Sequence, residues 1–139
     1  MNVLFDATAL FKRYSGESGC VRVQQLQLAA TQITAAAHCK AEIASALTCQ
    51  WRDGLFATQE YERMLLEIGR DFDDLTVLPL TAKVERNALA AMRLAPVSAS
   101  AALHIATAQA AGVDLFVSAD RKQTLAAQVV GLKTELIEA

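Results

Sequence analysis

Proline and glycine are scarce, at 2 and 6 of 139 residues, which excludes a collagen-like or linker-rich chain. Cysteine is equally thin: Cys20, Cys39 and Cys49 form neither an even set nor a C-x-x-C pair, and are expected to be reduced, buried thiols in a cytoplasmic protein. Neither charge sign dominates. Thirteen Lys and Arg against fifteen Asp and Glu give a net charge of −2, so bulk electrostatics does not mark a nucleic-acid binder. A long unbroken apolar run is also missing. The longest uncharged stretch, Leu94 to Val113, is interrupted by Pro96, Ser98, Ser100, His104, Thr107, Gln109 and Gly112. It reads as an Ala-rich helix and not as a bilayer span. The start, Met1 to Phe5, lacks the cationic segment and cleavage site of an export signal.

What remains is a chain with 53% hydrophobic and 20% charged residues, enough to bury one core. A single domain over 1–139 is expected. Asn2 to Phe5 has strand character, and Ala7 to Tyr14 follows as a short helix before the turn Ser15-Gly16-Glu17-Ser18-Gly19. A second helix near Val21 to Ala30 precedes a short strand at Gln32 to Thr34. His38 to Trp51 reads as a helix with Ile43, Leu47 and Trp51 in one stripe, and Gln59 to Asp74 as a strongly amphipathic one. Strand 76–80, a helix capped by Thr81, and a helix from Ser98 or Ser100 to Gly112 come next. Strand 114–118, helix 123–130 and a strand within Leu132 to Leu136 complete the chain. Strands separated by helices imply right-handed crossovers and a three-layer α/β/α sandwich around a parallel sheet of four to five strands.

In such a sheet ligands bind at the carboxyl ends of the strands. Asp6 closes the first strand, Asp120 lies just past the fourth, and Glu42 sits one turn into the helix after the second. Three carboxylates on one rim repel unless a cation sits among them, and oxygen donors suit Mg²⁺ or Mn²⁺. Asp6 equally suits a helix N-cap, and Asp120 a turn before the last helix. His38 and Glu42 are spaced i, i+4 as in helical zinc sites, yet no third nitrogen or sulfur is spaced to join them, which favours a plain hydrogen-bonded histidine. Asp71-Phe72-Asp73-Asp74 stands at a helix end before a strand amino terminus, the wrong edge, and reads as a solvated face.

Val3-Leu-Phe-Asp-Ala-Thr-Ala-Leu-Phe-Lys-Arg-Tyr14 resembles the opening of PIN-domain ribonucleases, above all the VapC-type toxins of bacterial toxin–antitoxin pairs. His38 to Leu47 resembles the second block of that family and Ala102 to Arg121 its third and fourth, in order and across nearly the whole chain. The resemblance implies a PIN-like fold and a metal-dependent endoribonuclease toxin that hydrolyses RNA phosphodiesters. It implies Mg²⁺ or Mn²⁺ held by Asp6, Glu42 and Asp120, Ser118 in support, His104 near the site without touching metal, a cognate antitoxin and a homodimer. One position departs from the family. Its third acid falls on Ala101, whose methyl cannot coordinate a cation, so activity is expected to be impaired, with a non-cleaving protein that binds RNA or antitoxin as the alternative. A signalling receiver domain is excluded by the absence of a paired acid after the first strand and of a late-strand Lys. Residues 53–74 carry seven acids and two bases, a net of −5, which leaves the rest of the chain at +3 and able to face RNA.

Overall fold

A computed structural model describes residues 1–138. The sheet is fully parallel, in the order β3-β2-β1-β4-β5, from β1 (Asn2–Phe5), β2 (Gln32–Ala36), β3 (Thr76–Leu78), β4 (Leu115–Ser118) and β5 (Thr134–Leu136). Alternation along β1 assigns each face its core: Val3 and Phe5 point one way and Leu4 the other, all fully buried. Val117 joins Val3 and Phe5 beneath α1 (Ala7–Ser15), α2 (Cys20–Ala29), α3 (Cys39–Arg52) and α4 (Thr58–Asp73). Phe116 joins Leu4 beneath α5 (Ala82–Leu94), α6 (Ala99–Ala111) and α7 (Arg121–Val129). The result is the expected three-layer α/β/α sandwich with five strands.

Differences from the sequence reading have local causes. β2 runs two residues further than its β-branched segment, because Ala35 and Ala36 are buried between neighbouring strands and packing overrides their poor strand propensity. β3 stops at Leu78 because Pro79 has no N–H for the ladder. Helix α7 begins at Arg121, two residues early, because the Asp120 side chain accepts from the Lys122 N–H at 2.9 Å and caps it. Ser98, and not Ser100, caps α6. The three cysteines are free, but only Cys39 is buried. Cys49 is exposed because it lies on the face of α3 turned away from the buried Ile43 and Leu47.

The order places a topological switch between β1 and β4, since the chain leaves β1 towards β2 on one side and returns to β4 on the other. The carboxyl ends of these two strands are Phe5-Asp6 and Ser118. The acidic run at the end of α4 has a structural use at the opposite edge. Asp71 accepts from the Tyr14 hydroxyl at 2.7 Å and pairs with Arg13 at 3.3 Å, tying α1 to α4.

Candidate functional site

Asp6 follows β1 and is the N-cap of α1. Its carboxylate is fully buried, with Oδ1 accepting from the Ala9 N–H at 2.9 Å and the Thr8 hydroxyl at 2.6 Å. Oδ2 accepts from the Ser118 hydroxyl at 2.5 Å. Burial pushes the Asp6 carboxyl above its ordinary value, against the pull of His104 and of these hydrogen bonds. No Lys or Arg pairs with it among the described residues. Ser118 also accepts from the Asp120 N–H at 3.0 Å, and Thr8 from the Ala119 N–H at 2.9 Å, so the ends of β1 and β4 are laced together. Asp6 and Asp120 therefore do serve as helix caps, a role that coexists with others.

Glu42 reaches the same edge from α3, where i, i+4 spacing sets it on one face with His38. Helix α6 supplies its other partners. Glu42 Oε2 accepts from the Ser100 hydroxyl at 2.6 Å, while Oε1 lies 2.6 Å from His104 Nε2 and 3.1 Å from His38 Nε2. Burial alone would raise the Glu42 carboxyl, but the hydrogen bonds from His104, His38 and Ser100 outweigh it and hold it well below the usual carboxylate range. The same contact, against burial, raises the His38 pKa. His38 Nε2 also faces the Ser100 carbonyl at 3.0 Å. The rings of His38 and His104 lie 4.2 Å apart, tilted by 39°.

This grouping corrects one sequence-based expectation. A third group, a nitrogen, does join His38 and Glu42: His104, 62 residues from Glu42 along the chain. Linear spacing cannot reveal a partner delivered by α6 from the opposite face of the sheet, across its carboxyl edge. Among the described residues, the His, Cys, Asp and Glu atoms that gather three together within 4.8 Å are those of His38, Glu42 and His104. Asp6 and Asp120 share the rim but stand outside that group, joined to each other through Ser118. Ala101 lies between Ser100 and His104 in the first turn of α6, 8% exposed. A cleft of about 350 Å³ connects the two halves, with Thr8, Lys12, Phe11, Glu42 and Ala119 in its walls.

The PIN domain family model matches residues 3–128, nine-tenths of the chain. The chain belongs to the PIN-domain family. Comparison with curated proteins finds no match. Among solved structures, chains with the same fold include one in the VapBC2 structure of Rickettsia felis, bound to a promoter DNA fragment, at TM-score 0.72 and 11% identity over 98% of both chains. DNA-bound VapBC of Salmonella typhimurium superposes at TM-score 0.72 and 14% identity over 97% of both chains. VapC20 of Mycobacterium tuberculosis, a toxin that cleaves the sarcin–ricin loop, superposes at 0.69 and 15% identity over 89% of this chain and 94% of that one. At such identities the likeness is one of fold, so this PIN domain's chemistry has to be argued from its own residues.

Proposed function

We propose that this PIN domain is a toxin-type endoribonuclease, cytoplasmic, neutralised by a cognate antitoxin and impaired by Ala101. The observation that carries the reading is the buried Asp6 carboxylate, held by hydroxyl and N–H donors alone on a rim shared with Glu42 and Asp120. A buried anion without a basic partner is costly, and a cation beside it removes the cost. The oxygen donors fit Mg²⁺ or Mn²⁺, with Asp6, Glu42 and Asp120 as the ligands. Such an ion, when bound, supplies a water of lowered pKa and charge for the scissile phosphate. The protein's own part is positioning. Ser118 holds Asp6 and the backbone of Asp120 in one arrangement, Ser100 and the two histidines hold Glu42, and Lys12 offers the cleft a positive group for an RNA phosphate. No helix among the described residues is long and apolar enough to cross a membrane.

The test is cleavage of total RNA by purified protein in Mg²⁺ or Mn²⁺. Slow cleavage is expected, abolished by a chelator and by Asp6→Ala. Cleavage that survives both treatments overturns the metal assignment. RNA binding without any cleavage selects the second reading, a PIN protein that only binds, which Ala101 favours.

A homodimer fits the apolar surface between α5 and α7. Leu94, Leu125 and Val129 are more than half exposed there, around a cavity of about 280 Å³. Light scattering is expected to give twice the 14.9 kDa chain mass, and Leu125→Lys to return it to the monomer value. A monomer at high concentration before the substitution overturns the dimer.

A further inference from the structure

Two of the three atoms that meet at Glu42 Oε1 are imidazole nitrogens, a donor set unlike the all-oxygen one assigned above. We propose that His38 Nε2, His104 Nε2 and Glu42 Oε1 form a binding site for a Zn²⁺-class ion. Imidazole nitrogens select borderline metals such as Zn²⁺, whereas Mg²⁺ requires oxygens and near-octahedral geometry. Zinc bonds to nitrogen and carboxylate oxygen of about 2.0–2.1 Å place tetrahedral ligand atoms about 3.3 Å apart. The His38 Nε2 to Glu42 Oε1 distance is already 3.1 Å, and the 2.6 Å contact of His104 has to lengthen by several tenths of an ångström to admit an ion.

The surroundings are arranged for such an ion. His38 and Glu42 project from one face of α3 at i, i+4, and His104 is delivered almost fully buried from α6. Ser100 holds Glu42 Oε2 at 2.6 Å, which leaves Oε1 as the oxygen turned to both rings and fixes the carboxylate as an outer partner fixes a metal ligand. His104 Nδ1 is buried without a hydrogen-bond partner among the described residues, so the ring's contact inside the cluster is made by Nε2. Three protein ligands leave a fourth position open, and Glu42 lines the cleft of about 350 Å³. The site does not depend on the nuclease reading, but shares Glu42 with it, so an ion bound here withdraws that carboxylate from Asp6 and Asp120.

The test titrates the purified protein with Zn²⁺ by calorimetry and with Co²⁺ by visible absorption, beside Mg²⁺. Binding of Zn²⁺ at least about 100-fold tighter than Mg²⁺ is expected, with Co²⁺ bands that Zn²⁺ bleaches. His38→Gln, at a position 26% exposed and outside the core clusters, is expected to weaken Zn²⁺ binding by at least the roughly 10–100-fold lost with an outer partner. His104→Gln is expected to do the same wherever its melting profile shows a folded protein. Zn²⁺ affinity no higher than that for Mg²⁺, or unchanged in His38→Gln, overturns the site and leaves the rings as a clamp on Glu42. Loss of Zn²⁺ binding in Asp6→Ala with retention in His38→Gln also overturns it, while sparing the oxygen set. Tight, His38-dependent Zn²⁺ binding by a protein that never cleaves RNA upholds the site and removes only the nuclease reading.

Discussion

Ala101→Asp is expected to raise RNA cleavage in Mg²⁺ or Mn²⁺ by about two orders of magnitude, the scale of one well-placed electrostatic group. Position 101 lies in the first turn of α6, where a carboxylate gains from the helix amino-terminal dipole. Its neighbours Ser100 and His104 already touch Glu42, so an acid there extends the rim acids across the gap left by a methyl. Mn²⁺ affinity should rise by at least the roughly 10–100-fold that a lost outer partner costs. The variant should also arrest growth when expressed without its antitoxin. Asp6→Ala in the same background should cancel both gains. Unchanged cleavage and growth in Ala101→Asp would remove the nuclease reading and leave the binding-only one.

Phe5→Ala is expected to destabilise the fold by about 3–5 kcal/mol, a large share of the roughly 5–15 kcal/mol of a typical domain. Phe5 is fully buried at the carboxyl end of β1, and its ring belongs to the core beneath α1 and α3. Its carbonyl faces the Cys39 thiol, and the next residue is Asp6, so the cavity opens directly under the candidate site. Urea unfolding measures the loss. Leu66→Ala, at a position 63% exposed, is the comparison and should stay within about 0.5 kcal/mol. A cost for Phe5→Ala near that of Leu66→Ala would contradict the packing.

The layers, the strands and the shared rim were legible because they follow from local signals. The apolar runs Val3-Leu4-Phe5 and Leu115-Phe116-Val117, the Thr81 cap, the choice of Ser98 or Ser100 as the next cap and the Gly112 terminus each sit within a few residues of the feature they specify. Asp6, Ser118 and Asp120 were findable because a parallel sheet sends successive strand ends to one edge. The His38–Glu42 spacing was legible too, but the contact of His104 with Glu42 was not. His104 lies on a helix whose nearly all-apolar sequence carries no sign of which turn meets α3, and pairing across 62 residues is a product of packing. The Cys49 exposure was missed for the opposite reason: cysteine's average burial says nothing about the face of a particular helix.

The link from Ser118 to Asp6 spans 112 residues of sequence. During synthesis Asp6 emerges well before its partner, and the hydroxyl that orients it cannot arrive until β4 has left the ribosome and docked beside β1. Loop closure of that length comes late, after the local helices have formed. A nascent chain that ends before β4 therefore has no assembled rim. Any chemistry that needs the Asp6–Ser118 link waits until β4 has docked.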